Sequence, residues 1–283
     1  MLRSSMSRRR VGMTAIAVAL LTALAPIAAA SADDRTDVPP PGANNWACRS
    51  AAHPVPVVLV HGTTANQNQN WHTLSPALTR AGYCVYTVTV GVLPGLPGYG
   101  GLDRLGTSTR QLAAFVAVVM KRTGAKQLDF VGHSQGATLQ LSYLRYYGGA
   151  RHARRIVNLA GAVSASPDAA GISALLKRVP KERRSLCPLC DSLADRSVYD
   201  FKNYPNIEYA NIASSTDEVV NPPSVSFMKA APNVRNVLVQ SYCPHMRVGH
   251  DAMSKSPTVR RMIMNALDPA TRQPVHCGPD MPT

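Results

Sequence analysis

Residues 128–139, LDFVGHSQGATL, constrain the fold more strongly than any other stretch of this chain. A mostly apolar run reaches Gly132, a serine follows at Ser134, and Gly136 opens a sequence with helical periodicity. When a buried strand turns sharply into a helix, small residues must flank the residue at the turn, because larger side chains would clash. The stretch therefore predicts a strand, a tight turn that carries Ser134, and a helix.

Further strand candidates follow one another along the chain, and helical stretches separate several of them. The run at 54–62 is apolar and rich in β-branched residues, which is typical of a strand buried on both faces. The other strand candidates are residues 83–90, 127–132, 154–161, 207–214 and 234–241. Strands that alternate with helices predict an α/β fold with a mostly parallel, doubly wound sheet and helices on both faces.

The helix between the second and third strand candidates has start and stop signals. Ser108 and Gln111 are spaced as in a capping box, which predicts that the helix begins there, and Gly124 predicts its end. One apolar face follows the box: Leu112, Phe115, Val116 and Val119. Residues 161–206 are too long for a plain loop, so short helices that form part of the wall of a site are expected there.

The N-terminal residues have the layout of a secretory signal peptide. Four arginines precede an uncharged apolar run at 11–30, and small residues lead to a cleavage position after Ala32. A retained membrane anchor is the alternative, since the run is nearly long enough to span a bilayer. We expect a signal peptide at 1–32, a flexible proline-rich leader at 33–45 and a single domain at 46–283. The mature protein would be secreted, with no later membrane span.

The net charge is basic without the pattern of a nucleic-acid-binding protein. The formal charge is +14, and removal of the four signal arginines leaves about +10. The charges are scattered apart from one cluster at 177–184, and no aromatic residues alternate with basic ones as in proteins that stack bases. These features favour a solvated basic face that attracts anionic surfaces, and argue against a nucleic-acid partner.

Six cysteines lie after the signal peptide, and an even number in an exported chain indicates disulfides. Six cysteines allow fifteen pairings. The spacing of Cys187 and Cys190 would also suit zinc or a redox pair, but no second ligand pair is near in sequence and the thioredoxin-like context is missing. From their places beside the predicted elements, we hypothesise three bonds: Cys48–Cys84, Cys187–Cys190 and Cys243–Cys277.

Ser134 needs partners if it is a nucleophile. A serine hydroxyl is a weak nucleophile at neutral pH, so it requires a base, usually histidine, and an acid that orients the histidine. On a strand–serine–helix turn, the order along the chain is serine, acid, histidine. Asp217 follows a later strand ahead of Glu218, and the loop after the last strand offers His245 and His250. We predict Ser134, Asp217 and His250. Glu218, which is expected to face outward or pair with a cation, is an alternative acid, as are Asp191, Asp195 and Asp200, which precede the strand; His245 is the alternative base.

Two backbone N–H groups must also face the oxygen on which charge develops during acyl transfer. Thr63, which follows His61 and Gly62 at the end of the first strand, is the predicted first donor. Gln135, at the start of the helix after the serine, is the predicted second donor, and the helix dipole would assist it. His61 is expected to bond within this loop, and His133 to be a packing residue.

In these stretches the chain resembles the secreted class 2 lipases of actinobacteria and bacilli within the α/β-hydrolase family. The matching segments lie between Trp46 and Ala266: PVVLVHGT, LSPALTRAGYCVY, LAAFVAVVMKRTGAKQLDFVGHSQG, STDEVV and SYCPHMRVGHD. The resemblance places the same triad and the same two donors on the residues named above. It implies hydrolysis of the esters of glycerol and related lipids, including esters at a lipid–water interface, with neither cofactor nor metal.

Alternatives within and outside this chemistry remain open. A hydrolase of aliphatic polyesters, cutin-like polymers or other acyl esters would carry the same residues, and a non-catalytic binding protein could share the fold. Apolar residues at 92–97 could form an acyl-binding lip or an ordinary surface turn. The NQNQN stretch at 66–70 is more polar than expected beside a lipid site. Acyl-chain preference and oligomeric state are not predicted.

Overall fold

Six parallel strands form one sheet in this protein, whose computed structural model describes residues 37–164, 187–194, 199 and 201–282. The strand order across the sheet is β2-β1-β3-β4-β5-β6. Their bounds are β1 Val57–Val60, β2 Val85–Thr87, β3 Leu128–His133, β4 Ala153–Leu159, β5 Glu208–Ala213 and β6 Val234–Leu238. Every residue of β1 and β3 is buried, as expected for central strands that are covered on both faces.

Helices cover both faces of the sheet. The described α-helices are α1 Gln67–Trp71, α2 Leu74–Arg80, α3 Leu105–Thr123, α4 Gln135–Tyr146, α5 Pro188–Ala194 and α6 Pro257–Leu267. Short 3₁₀ turns also occur at Gly149–Arg151, Pro223–Ser226, Val239–Ser241, Asp251–Ser254 and Pro269–Thr271.

Successive strand residues point to opposite faces, and this divides the core in two. On one face, α3 and α4 pack on Val58 and Phe130. On the other face, α2 and α6 pack on Leu59 and Val131. The predicted α/β class, with a parallel doubly wound sheet and helices on both faces, is confirmed.

The predicted start of α3 is wrong. The helix begins at Leu105 rather than after Ser108, and the capping residue makes no side-chain cap bond. Ser192 of α5 instead accepts the N–H of Leu105, at 3.2 Å, so a distant element satisfies the first turn. Gln111 accepts the N–H of Gly91 at 2.7 Å and thereby supports the glycine-rich loop. The predicted end is correct, since Gly124 closes the helix with a φ of 73°.

The described part of the proline-rich leader lies against the sheet rather than free of it. Asn44 donates to the carbonyl of Thr87 and accepts the N–H of Thr87, both at 2.9 Å, along the β2 edge. Asp37 accepts from the side chains of Gln67, at 2.9 Å, and Thr89, at 2.5 Å. Residues 37–45 thus include contacts with the β2 edge that the leader's composition did not indicate. The predicted signal peptide lies outside the described residues.

Disulfides join Cys48 to Cys84, Cys187 to Cys190 and Cys243 to Cys277, which are the hypothesised pairs. Three disulfides are consistent with an extracellular protein. Within residues 37–282 as far as they are described, no helix is long and apolar enough to cross a membrane. Short helices were expected at 161–206, and α5 is the α-helix among the described residues of this segment. The basic cluster at 177–184 lies outside the described residues.

Candidate active site

The turn that carries Ser134 has a backbone conformation that L-residues rarely adopt. Ser134 joins β3 to α4 with φ 53° and ψ −122°, and such a conformation costs roughly 1–3 kcal/mol that the surrounding structure must offset. Gly136 has no room for a side chain, because a Cβ there would overlap the carbonyl of Val60 on β1. A Cβ at Gly132 would lie 2.6 Å from the backbone of Gly136. The two glycines therefore permit the close packing that exposes Ser134 at the turn.

The three predicted triad residues meet at the carboxyl ends of the strands. His250 Nε2 lies 2.8 Å from Ser134 Oγ, and His250 Nδ1 lies 2.8 Å from Asp217 Oδ2. The imidazole is thus in hydrogen-bond contact with the serine on one side and with a carboxylate on the other. This arrangement allows a serine to lose its proton to the imidazole.

Asp217 is buried and held in a fixed orientation. Its Oδ1 accepts the backbone N–H groups of Val219 and Val220, both at 2.8 Å, which leaves Oδ2 for His250. Burial on its own would raise the pKa of Asp217, but the nearby His250 and the two backbone donors outweigh it and lower that pKa. The carboxylate is therefore ionised at neutral pH.

The pKa of His250 is raised above its ordinary value. Burial favours the neutral ring, but the charge of Asp217 and its hydrogen bond outweigh this effect, and the charges of Asp251 and Glu218 add to them. Glu218 also contacts His250 directly, since its two carboxylate oxygens lie 3.2 and 3.4 Å from the backbone nitrogen of His250. Glu218 is exposed, as expected, but it also accepts a hydrogen bond from the backbone N–H of His250, which was not expected.

Thr63 and Gln135 lie on either side of the Ser134 turn. A Cβ on Gly62, the residue before Thr63, would come within 3.0 Å of Ser134 Cβ, so the loop after β1 approaches Ser134 closely. Gln135 is the first residue of α4, and its N–H has no partner one turn back in the helix. Among the described residues, no acceptor bonds the N–H of Thr63. Both predicted donors are thus near Ser134, and neither N–H group has a partner among the described residues.

A second loop holds the Thr63 segment from the other side. Thr64 donates to the carbonyl of Gly100 at 2.9 Å, and Gly100 donates to the carbonyl of Ala65 at 2.8 Å. A Cβ at Gly100 would lie 2.5 Å from the ring of His61, so only glycine fits there. The side chain of Gln135 donates to Gly101 at 3.1 Å and ties the serine turn to the same loop. The glycine-rich loop therefore braces both donors.

The polar NQNQN stretch at 66–70, at the start of α1, bonds both the glycine-rich loop and the loop after β1. Asn66 caps the helix by accepting from Gln69 at 2.8 Å, and it donates to Gly98 at 3.1 Å. Asn70 is buried and accepts the N–H of Gly62 at 3.0 Å. Sequence reasoning missed these roles, because the bonding partners are far apart in the chain. The sequence signal that could have indicated these roles was the unusual polarity of the asparagines in this stretch.

His133 lies between Asn70, which bonds the loop after β1, and His250. Its Nδ1 lies 3.1 Å from Asn70 Oδ1, and its Nε2 lies 3.0 Å from the carbonyl oxygen of His250. Burial and the charge of His250 lower the pKa of His133 to about 3, so its ring is neutral at ordinary pH. His61 is also buried, with its Nδ1 2.8 Å from the Gly62 carbonyl and its Nε2 accepting from Val90. Neither histidine contacts the Ser134 hydroxyl.

The remaining candidates do not join the cluster. His245 is exposed, whereas His250 is buried at the serine, so the geometry favours His250 as the base. Asp195 and Asp200, weak alternatives for the acid, lie outside the described residues, as does the side chain of Asp191. Of the carboxylates that the structure describes, Asp217 bonds the ring of His250.

The loops that carry Asp217 and His250 are bound to each other. Gln240 accepts the N–H of Ser215 at 2.9 Å and donates to the carbonyl of Met246 at 2.9 Å. Thr216 Oγ1 accepts the N–H of Val248 at 2.8 Å. The C-terminal tail adds a further tie, because Gly249 donates to the carbonyl of Met281 at 2.9 Å. Hydrogen bonds thus join the loops that carry Asp217 and His250 to each other, and the C-terminal tail to the second of them.

A family model described as the alpha/beta hydrolase fold matches residues 55–182, somewhat less than half of the chain. Solved structures extend the likeness. Lipase B from Aspergillus fumigatus is 15% identical with a TM-score of 0.61; the match covers 88% of this chain and only 59% of that lipase. A metagenome-derived lipolytic enzyme is 15% identical (TM-score 0.54), with 80% of this chain and 98% of the enzyme covered.

A third match is to a monoacylglycerol lipase. The monoacylglycerol lipase of Paleococcus ferrophilus is 16% identical with a TM-score of 0.52, and the match covers 75% of this chain and 95% of that enzyme. At such low identity the likeness shows the fold and no more. Together with the parallel sheet and the flanking helices, it shows that this chain has the α/β-hydrolase fold.

Proposed function

We propose that the protein is a secreted serine hydrolase that cleaves carboxylic esters, with acylglycerols or related lipid esters as its substrates. The observation that carries this proposal is the hydrogen-bonded series from Ser134 through His250 to Asp217, at 2.8 Å for both contacts. The series lies at a strained strand–helix turn beside two unengaged backbone N–H groups. These are the parts that acyl transfer to a serine requires.

The first half of the reaction forms an ester on the enzyme. Ser134 Oγ attacks the carbonyl carbon of the substrate while His250 Nε2 accepts the hydroxyl proton, and the Asp217 carboxylate stabilises the imidazolium. The negative oxygen of the tetrahedral intermediate receives hydrogen bonds from the N–H groups of Thr63 and Gln135. The carbon–oxygen bond to the alcohol then breaks, His250 protonates the departing alcohol, and the acyl group stays on Ser134.

The second half releases the acid and restores the serine. Water attacks the acyl carbonyl while His250 accepts one of its protons. The same two N–H groups stabilise the second tetrahedral intermediate. Its collapse breaks the bond to Ser134 Oγ, which takes the proton back from His250, and the carboxylic acid departs. Loss of a single oxyanion donor in such a site typically slows the reaction by ~10²–10³-fold.

Several features support an ester, and a lipid ester in particular, as the substrate. The names of the structural neighbours include a lipase B, a lipolytic enzyme and a monoacylglycerol lipase. The glycine- and proline-rich loop beside the site carries Val92, Leu93 and Leu96, which are half-buried and suit an acyl chain. Three disulfides and the signal-like N-terminus support secretion.

The proposal is tested by initial rates on p-nitrophenyl and glyceryl esters from two to eighteen acyl carbons, below and above the solubility limit of each. We expect hydrolysis, with higher rates on emulsified long-chain esters. Activity confined to soluble short esters would redirect the proposal to an esterase, and release of monomers from a polyester film alone would redirect it to a polymer hydrolase. Failure to hydrolyse any ester while the protein is folded would overturn it and favour a binding protein.

A further inference from the structure

A groove lies on the sheet face that α6 covers, away from the serine turn. Its volume is about 190 Å³. Three charged residues at the beginnings of neighbouring strands line it: Arg155 on β4, Glu208 on β5 and Arg235 on β6. Ser134 and Asp217 instead follow the carboxyl ends of their strands. Because all six strands are parallel, the charged end of the groove and the candidate active site lie at opposite ends of the sheet.

The floor of the groove is apolar because of strand alternation. Val157 follows Arg155 by two residues, Ile212 follows Glu208 by four, and Val237 follows Arg235 by two, so all of these side chains share one face. Helix α6 packs mainly against β4 and β5, which leaves the β6 side of this face open. Met262 of α6 forms part of the opposite wall.

The rim of the groove carries an excess of positive charge. Arg155, Arg235 and Arg272 line it together with a single carboxylate, that of Glu208. In the part of the chain that the structure describes, neither Arg235 nor Arg272 forms an ion pair. Arg155 donates to the carbonyl of Leu267 through Nη1 at 2.7 Å, while its buried Nε has no partner among the described residues. The groove thus combines guanidinium donors with an apolar strip.

We propose that this groove binds a free long-chain fatty acid as its carboxylate, at a site separate from the candidate active site. The arginines would bind the carboxylate head, since guanidinium groups hold carboxylates with charge-assisted hydrogen bonds. The alkyl chain would lie on the accessible apolar residues of the lining, Val237, Tyr242 and Val275, since Val157 and Ile212 are buried in the core. An uncharged lipid would leave the guanidinium groups without a partner, and a small anion would leave the apolar strip exposed. Only a molecule with both parts matches both surfaces.

The test uses calorimetric titration of dodecanoate, below its micelle concentration, into enzyme whose Ser134 has been blocked with a phosphonate ester. Acetate supplies the charge without the chain, and dodecyl maltoside supplies the chain without the charge. We expect one dodecanoate per molecule, with no detectable binding of acetate and weaker binding of the maltoside. Arg235→Ala and Arg272→Ala should each weaken dodecanoate binding about tenfold, as for one lost charge-assisted hydrogen bond. Arg110→Ala, an exposed arginine on α3, is the matched control and should change nothing.

Several results would overturn this inference. They are no dodecanoate binding to the blocked enzyme, equal binding of the maltoside, equal binding of acetate, or unchanged affinity in both arginine variants. Binding only to anionic vesicles, and not to monomeric dodecanoate, would also overturn it, because it would show a membrane-facing basic surface. If the phosphonate fails to label Ser134, the proposed function fails by itself. In that case, the dodecanoate affinities of Arg235→Ala, Arg272→Ala and Arg110→Ala, measured on unblocked enzyme, would still show whether the groove binds the fatty acid.

Discussion

At the scale of single residues, two successive carboxylates, Asp217 and Glu218, contact different parts of His250. Asp217 bonds the ring at Nδ1, and Glu218 accepts the backbone N–H of the same histidine. Asp217 is buried, whereas Glu218 is exposed, so their electrostatic effects on the ring differ in strength. Both negative charges nevertheless favour the protonated imidazole and raise the pKa of His250. The base is therefore tuned by a residue that does not touch its ring.

This arrangement makes a prediction about the pH profile. Catalysis needs neutral His250, so kcat/KM should fall on the acidic side with an apparent pKa above the ordinary 6.5. Glu218→Gln keeps an acceptor for the backbone N–H but removes the charge. The apparent pKa should therefore move to lower pH, with a smaller change in the plateau rate.

The control for this experiment is Asp268→Asn, which removes a half-buried carboxylate from the turn after α6 and should leave the profile in place. An unmoved acidic limb in Glu218→Gln would show that Glu218 serves only to hold the loop.

The sequence indicated the three residues of the candidate site more readily than the residues that support them. Ser134, Asp217 and His250 each follow a recognisable strand in the required order, so local patterns identified them. Asn70 and His133 act through a contact between residues 63 positions apart, and no local pattern carries that information. Gly161 is a further example, because a Cβ there would collide with the Ala137 methyl, a contact between residues far apart in the chain.

At the scale of elements, a ladder of asparagines crosses three strands. Asn158 on β4 donates to Asn211 on β5 at 2.7 Å, and Asn211 donates to Asn236 on β6 at 2.8 Å. Gln140 of α4 joins the ladder by donating to Asn158 at 2.7 Å, and Asn236 donates to Met228 at the other end. The three asparagines are direct register partners. A one-residue slip would break every bond of the ladder, so it fixes the register of the strand that leads to Asp217.

Asn211→Ala tests the ladder. Asn158 and Asn211 are fully buried, so the truncation leaves a buried donor on Asn158 without its partner. We expect the free energy of unfolding to fall by about 1–3 kcal/mol, as for a buried polar group left unsatisfied. Urea denaturation monitored by circular dichroism measures the change.

Gln127→Ala serves as the control, because this exposed residue precedes β3 and should shift stability by no more than about 0.5 kcal/mol. Equal stability of the two variants would contradict the role of the ladder.

Elements were predictable where the signal was local. The strands appear where apolar runs occur, and Gly124 ends α3 as its backbone freedom allows. The start of α3 was not predictable, because the acceptor for its first N–H is Ser192, 87 residues further along the chain. The leader was expected to be flexible from its prolines and polar residues, but Asn44 offers an amide that pairs with both backbone groups of Thr87. Tertiary hydrogen bonds decided both cases.

At the scale of the whole molecule, the C-terminal tail fastens the loop that carries His250. Cys277 is bonded to Cys243 at the beginning of that loop, and Met281 pairs with Val248 near its end. Arg247 donates to the side chain of Asp280 at 2.8 Å. The loop is therefore held at both ends by residues that follow the last helix. The fold as a whole was predictable because its alternating periodicities are regular, whereas this late clamp was only a hypothesis from cysteine positions.

The double variant Cys243→Ser/Cys277→Ser tests the clamp. The bond closes a sequence separation of 34 residues, and its loss should lower the free energy of unfolding by about 2–4 kcal/mol. We also expect a lower kcat at temperatures where the variant remains folded, because His250 is less firmly placed.

Cys187→Ser/Cys190→Ser opens a bond with a separation of only 3 residues and should destabilise the protein less. A larger loss from this control, or an unchanged kcat in the first variant, would argue against the clamp.

The central claim is that Ser134 carries the acyl group during ester hydrolysis. The most direct measurement is rapid quenching of a reaction with p-nitrophenyl butyrate, followed by peptide mass spectrometry of the digest. We predict a butyryl group on the peptide that contains Ser134 and a burst of p-nitrophenol whose amplitude equals the concentration of active enzyme. Ser134→Ala should show neither signal while it keeps the native circular dichroism spectrum. A butyryl group on another residue, or hydrolysis retained by folded Ser134→Ala, would contradict the account.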